Sequence, residues 1–420
     1  MLLFKILFAL TSSITIVYMG FVPKNYQMKK LKLLTRDYKV KVLKNLEIRS
    51  LLKFVPTISG REVVGSSPPE IFVGRFGYPK VYVGPLIPPF LGNTEHLGLT
   101  ETWFGKDLEE IVEMRLQLLR GKKRLKVTQV DEKYARELRE AMLSELAVDM
   151  EAKLKNIPRG ALLSEDHQPF GPSAHLEYLK VEPGRTDSRI EKAYYDRDLP
   201  SREAVIELYM RGVPVSRIQQ GLSAGLFGRK RRFVPTRWSI TAVDDMISRF
   251  LIDKIREFPP INEFRVYYTE YLRNQWAIIL MPEKWSYESI EAWFPGTLTD
   301  WIGLAGDYEP FTGRKEYASM GGCYYSGRLA IAEKLFEERR QASALILREI
   351  HPGYLPTGVW NVRETVRNAL RTKPFLCSTL NECLALVKEK LTLPLRVWMN
   401  NSTILRNHLS QATLEEFLLY

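Results

Sequence analysis

Between residues 61 and 90 short apolar runs alternate with glycine and proline, and this punctuation limits the kind of fold the chain can adopt. Ile71–Val73 and Val81–Val83 read as strands, bracketed too closely by Gly74, Gly77 and Pro79 to continue as helix. Helical spacing then takes over. Leu108, Ile111, Val112, Leu118 and Leu119 keep one face from Asp107 onward, with Gly121 as a stop. A second stripe, capped by Asp131, runs through Ala135, Leu138, Met142, Leu146 and Met150. His175 to Val181 is again a strand. Helices are expected from Ser201 to about Arg211, over Val215 to Gly221, and from Thr241 with a buried stripe of Ile247, Phe250, Leu251 and Ile255. Phe264 to Tyr271 and Gln275 to Met281 read as two strands about a polar turn, followed by helices from about Leu329 to Arg340 and from Thr379 to about Lys390. The expected fold is mixed α/β, with short strands interleaved with helices and no named superfold.

The chemistry-bearing residue types are scattered. Closely spaced glycines can admit a phosphate to the backbone, but no Gly-x-x-x-x-Gly-Lys-Ser/Thr loop is present. His175-Leu-Glu177 opens like a zinc-deaminase signature and lacks its Pro-Cys-x-x-Cys partner. Cys323, Cys377 and Cys383 have no ligand or disulfide spacing, so neither metal nor other cofactor is expected and a cytoplasmic location fits best. No catalytic motif stands out. Asp244, Asp245, Tyr324, Arg348 and Glu349 are candidate reactive groups without a spacing that assigns them roles. The Asp pair reads as first-turn acids of the helix opening at Thr241.

Charge points to a polyanionic partner. Lysine and arginine number 61 against 49 acids, a formal net charge of +12. Arg229, Lys230, Arg231 and Arg232 are consecutive, and Phe233, Arg237 and Trp238 follow, which combines phosphate contacts with aromatic stacking surfaces. That segment is the expected nucleic-acid contact. Lys122, Lys123, Arg124 and Lys126 read instead as a solvated loop. The helices on either side of Gly212 mimic a helix-turn-helix, but the first lacks a small central residue and Gly221 interrupts the second.

The two ends differ from the body. Met1 to Val22 is mostly apolar with Lys5 as its one charge, long enough for a membrane span or signal. The preferred reading is an upstream start codon, with the chain proper beginning at Met19 or Met28; a membrane partner is expected only if the stretch is genuine. At the other end Gln411, Leu414, Phe417 and Leu418 stand at offsets 0, 3, 6 and 7, and Thr413 with Glu416 makes a capping box. This resembles the PCNA-interacting peptide box, in which position eight is usually aromatic rather than leucine. The resemblance implies that Leu414, Phe417 and Leu418 enter the hydrophobic pocket of the sliding clamp and Gln411 a polar pocket beside it. Residues 1–28 are thus an extension, 29–398 a core with room for two subdomains, and 399–420 a tail loosely joined through Asn400 to Thr403.

Several stretches together resemble the Nre family of archaeal DNA-repair proteins. They are Phe72 to Pro85, Gly212 to Gly221, Ser239 to Ser248 around the Asp pair, Arg339 to Ser343, Arg348-Glu349 and the Gln411 box. The resemblance implies a factor recruited to the clamp that acts on damaged DNA, DNA itself being a second partner. The alternative is a nuclease or nucleotide-processing repair enzyme that uses the same tail. Many family members carry an N-terminal four-cysteine zinc module, which this sequence lacks.

Overall fold

The computed structural model describes residues 52–297 and 300–408; the apolar stretch 1–28 and the Gln411 box lie outside the described residues. The chain first lays down β1 (Glu62–Ser67), β2 (Ile71–Val73), β3 (Lys80–Ile87), α1 (Leu108–Leu116), β4 (Leu119–Lys126), α2 (Lys133–Leu143), β5 (Val148–Leu154) and β6 (Ser173–Val181). Four helices follow: α3 (Ser188–Tyr195), α4 (Ser201–Met210), α5 (Val215–Ser223) and α6 (Thr236–Ile255). Then come β7 (Phe264–Tyr271), β8 (Asn274–Met281), β9 (Ser286–Trp293), β10 (Gly303–Glu309), α7 (Gly322–Glu338) and β11 (Ser343–Ile350). Then follow α8 (Trp360–Arg371), β12 (Phe375–Cys377), α9 (Leu380–Lys390) and α10 (Leu395–Asn401), and residues 403–408, the last described, are helical as well.

The strands form two six-stranded sheets, in the orders β1-β5-β6-β4-β3-β2 and β10-β9-β11-β8-β7-β12. Each is antiparallel except for one parallel pair, β4 with β6 and β11 with β9. In the second sheet the residues of β8 divide by parity. Trp276, Ile278 and Leu280 join the main core, while Ala277, Ile279 and Met281 join a separate core with Cys383, Val387 and Trp398 of α9 and α10. A sheet covered on both faces needs such continuous apolar runs. The first sheet alternates instead: Val81, Val83, Leu125, Ala152 and Leu176 pack inward with Ala135, Leu138 and Met142 of α2, while its other face meets solvent at Lys80, Arg124 and Lys126 and is covered by Leu97, Leu118 and Phe170 where Phe72 and Leu86 lie. One main core runs from this sheet through α4 to α8 to the second sheet.

The mixed α/β class is as expected, and several element boundaries are not. Helix α1 ends at Leu116, and the supposed solvated loop at Lys122–Lys126 is part of β4. Gly121 is no helix stop. It lies so close to Gly84 of β3 that a Cβ on Gly84 would stand 1.5 Å from the Gly121 carbonyl oxygen. Helix α2 ends at Leu143, leaving Leu146 exposed and Met150 on β5. Helix α6 starts at Thr236, directly after Pro235, so Asp244 and Asp245 sit in its middle and are not first-turn acids. Proline is well suited to a helix start because it has no N–H to leave unpaired. Helix α7 begins at Gly322, seven residues before the expected start. The connection at Asn400 to Thr403 is pinned, not loose. Glu288 of β9 accepts from Ser402 Oγ at 2.6 Å and from the amides of Thr403 and Ile404 at 2.7 and 2.9 Å.

Candidate nucleic-acid interface

The solvent face of the first sheet gathers cations by strand pairing. Lys80 lies opposite Lys126, Tyr82 opposite Arg124, and Lys122 opposite His175. Directly paired residues project from one face, and side chains two apart on a strand share it. Lys122, Arg124 and Lys126 are therefore one row, flanked by Tyr82 and His175, whose rings are 5.3 Å apart. Lys122 Nζ stands 5.7 Å from the Tyr82 ring and 3.3 Å from Ser173 Oγ. At the covered end of the same row Arg120 is buried, stacked 4.2 Å over Phe72, and donates to the Tyr82 carbonyl at 3.0 Å. Burial lowers Arg120 to about 10, and burial together with the Arg120 charge lowers Lys122.

The β2–β3 turn extends this surface with aromatic rings. Gly77 adopts φ +80°, where a Cβ would meet the Lys80 carbonyl at 2.9 Å, and the tight turn projects Phe76 and Tyr78 into solvent at 59% and 46% exposure. Tyr78 packs 5.3 Å from Trp238, itself 44% exposed at the start of α6. Uncovered aromatics beside a cation row are what stacked bases and phosphates require together. Edge strand β2 is closed by side chains. Gln220 Oε1 accepts from the Ile71 amide at 3.0 Å and Thr236 Oγ1 from the Val73 amide at 2.9 Å.

The segment expected to contact nucleic acid is divided by the fold. Arg229, Lys230 and Arg232 are exposed, with Arg229 Nε donating to the Asp198 carbonyl at 2.8 Å. Arg231 turns inward instead. It donates to the carbonyls of Tyr194 and Asp196 at 2.8 and 3.0 Å, closing the end of α3, and burial lowers it to about 10. Phe233 is fully buried and offers no stacking surface, while its amide donates to the Val127 carbonyl at 2.8 Å and so brings Arg232 beside the end of β4. Arg237 pairs with Asp166 at 3.1 Å, leaving Trp238 as the aromatic that faces out.

The candidate reactive groups do not converge on one centre. Asp244 is buried and accepts from Arg363 Nη1 at 3.1 Å, Gln219 Nε2 at 2.8 Å and Ser326 Oγ at 2.6 Å. Burial pushes its carboxyl up, against the pull of Arg363. Arg363 also meets Glu364, and Arg367 ties Glu364 to Glu333 at 2.8 and 2.6 Å. Glu101 closes the network: burial opposes its ionisation, yet Arg363 and the two bonds from Ser216 hold it below its usual range. Asp245 pairs with Arg328 and Arg249, and Tyr324 donates to Glu309 at 3.1 Å. Arg348 and Glu349 are neighbours on β11 and so face opposite ways. Arg348 meets Glu291 at 2.6 Å, and Glu349 accepts from the amides of Thr392 and Leu393 at 2.9 and 2.7 Å. Among the described residues no group of three His, Cys, Asp or Glu side chains could hold a metal ion, and no helix is long and apolar enough to cross a membrane.

The motif Val215 to Gly221 is likewise structural. Ser216 holds Glu101, Arg217 donates to the carbonyls of Pro69, Met142 and Ser144, Gln219 holds Asp244 and Gln220 caps β2. Helix α5 is buried nearly throughout, so it presents no face to a DNA groove.

Sequence reasoning missed Lys80, Tyr78, Tyr82 and His175 as a surface, and read Lys122, Arg124 and Lys126 as a loop. The usable signal was the spacing of two between those three cations, which is that of a strand.

Comparison with known proteins adds the family. A model of the archaeal Nre N-terminal region matches residues 39–300, and one of the Nre C-terminal region matches residues 309–417. DNA repair protein NreB of Archaeoglobus fulgidus is 41% identical over 364 residues, covering 85% of this chain and 92% of that protein. DNA repair protein NreA of the same organism is 37% identical over 332 residues, covering 77% and 83%. NreA of Haloferax volcanii is 32% identical over 373 residues, covering 84% and 88%. No solved structure matches. With both regional models matched in order and relatives aligned along most of their lengths, the chain belongs to the archaeal Nre family.

Proposed function

We propose that this chain is a DNA-repair factor that holds a nucleic-acid strand on the outer face of its first sheet and is brought to the sliding clamp by its C-terminal segment. The repair role is supported by the family and by the names its relatives carry. The observation that carries the DNA contact is the row Lys122, Arg124 and Lys126 opposite Lys80 and Tyr82, with Phe76, Tyr78 and Trp238 exposed at its end. Cations on alternate positions follow a backbone of phosphates, and the rings accept unstacked bases without regard to sequence. Clamp recruitment rests on the spacing of Gln411, Leu414, Phe417 and Leu418.

Fluorescence anisotropy with labelled single-stranded DNA across a salt series tests the DNA half. Changing Lys80, Lys122, Arg124 and Lys126 to Gln should flatten the slope of log affinity against log salt by roughly 0.7 for each phosphate contact removed. An unchanged slope would mean that DNA does not lie there. A pull-down with the host's own clamp, comparing the full chain with Leu414→Ala/Phe417→Ala, tests the other half; equal capture of both refutes it.

A further inference from the structure

Along α6, beyond Trp238, the same helix borders a cleft of about 470 Å3 that the sheet face does not use. Its walls are Arg249 of α6, Arg256 at that helix's C-terminal cap, Arg202 at the start of α4, Arg314 in the segment after β10, and Arg328 of α7. Three acids share the walls: Asp245, Asp253 and Glu309. Arg314 is also paired, with Asp307 behind the wall at 2.9 Å, so five guanidinium groups face four carboxylates and one positive charge is left over.

The acids are already committed. Glu309 is 1% exposed and accepts from Trp285 Nε1 at 3.1 Å, Tyr324 Oη at 3.1 Å and Arg328 Nη1 at 2.7 Å. Asp245 serves both Arg328 and Arg249, and Asp253 serves Arg256 at 3.2 Å with Arg202 at 3.9 Å. Each guanidinium carries five N–H donors, so the cleft holds more donors than its carboxylates accept. Arg256 Nε is buried without an acceptor. Gly313, at φ +83°, leaves the space in which Arg256 lies, since a Cβ there would come within 3.3 Å of Arg256 Nη2. The Arg256 guanidinium also stacks 5.5 Å over Phe311, which is 40% exposed, and Met246 and Ile252 supply apolar wall.

We infer that this cleft binds a terminal phosphate monoester, carried either by the end of a DNA strand or by a free mononucleotide. A monoester brings close to two negative charges and three acceptor oxygens, which match the surplus in sign and take up donors the carboxylates leave over, and arginine forks pair with such oxygens two at a time. Met246 and Ile252 in the wall offer apolar surface to a base or sugar attached to that phosphate. Eleven residues of helix separate Trp238 from Arg249, about 16 Å of rise, so a strand stacked at Trp238 can deliver its end to the cleft. Only the strand-end source rests on the proposed DNA contact; the phosphate site stands on its own geometry.

The test compares single-stranded oligonucleotides ending in 5′-phosphate, 3′-phosphate or hydroxyl groups by anisotropy, with adenosine monophosphate titrated by calorimetry. A strand-end site makes one phosphorylated oligonucleotide bind about 10-fold tighter than the hydroxyl form or more, as charged hydrogen bonds imply. A free-nucleotide site shows calorimetric binding of the monophosphate with no end preference. In either case Arg249→Gln/Arg256→Gln should abolish the signal at unchanged melting temperature and unchanged hydroxyl-end affinity. The four-cation sheet variant should instead weaken all three oligonucleotides alike and leave any preference intact, which separates failure of the cleft from failure of the sheet face. The inference falls if neither an end preference nor monophosphate binding is seen, or if either survives Arg249→Gln/Arg256→Gln.

Discussion

Arg363 and Asp244 meet with both side chains removed from water, so deleting one strands the other as an unpaired buried charge. Arg363→Ala should lower stability by about 3–5 kcal/mol in urea denaturation, and pairing it with Asp244→Leu should recover part of that loss. His167 gives a prediction in pH. It is packed edge-on to Phe72 at 4.7 Å, its Nδ1 is 2.8 Å from the Gln168 carbonyl, and burial depresses its pKa to about 4. The unfolded chain, titrating near 6.5, therefore binds the proton more readily than the folded one. Stability from the neutral ring is fully present above pH 6.5 and is lost as pH falls toward 4, by about 3 kcal/mol at most. Replacing His167 with Asn should remove this part of the stability profile while leaving the carboxylate-driven fall at lower pH. At Trp238 the expected effect is on binding: Trp238→Ala should weaken single-stranded DNA affinity by about 1–3 kcal/mol, read by anisotropy. Trp238 faces out, as the proposed stacking role requires. The role of Asp244 was not legible in the sequence, because Thr241 with an acid three residues on imitates a helix start, and the stronger signal, Pro235, lay further upstream.

Strand β2 shows how an element only three residues long can be held. Its free amides are answered by Gln220 and Thr236 and not by another strand. Gln220→Ala should leave the Ile71 amide unpaired at about 1–3 kcal/mol and speed its hydrogen exchange ahead of residues in β3. Hairpin β7–β8 was legible for a related reason. Leu272 and Arg273 both take positive φ, 48° and 60°, and the two-residue turn they form between Tyr271 and Asn274 fixes the flanking register. Strand β4 was not read, because its apolar positions are few and Leu118-Leu119 fitted the preceding helical stripe by chance. The capping box at Thr379 held: Thr379 accepts from the Glu382 amide at 3.3 Å, and Glu382 reaches back to the Ser378 amide at 2.8 Å. Cap signals are local, so one stretch of sequence contains all of them.

At the scale of the whole molecule, two sheets share one helical core, and the pairings that define them join distant parts of the chain. The parallel contacts of β4 with β6 and of β9 with β11 span intervening strands and helices, and no local pattern announces them. The mixed α/β class was therefore legible while the topology was not. The cation row follows from the same long-range pairing, since Lys80 meets Lys126 only once β3 and β4 are zipped. The grip of Glu288 on residues 402–404 has a mechanical consequence. A line made fast there has little slack: the six residues from His408 to Leu414 can span no more than about 22 Å. On the proposed contact, a ring that catches Leu414 would thus keep the body berthed within that distance of its rim.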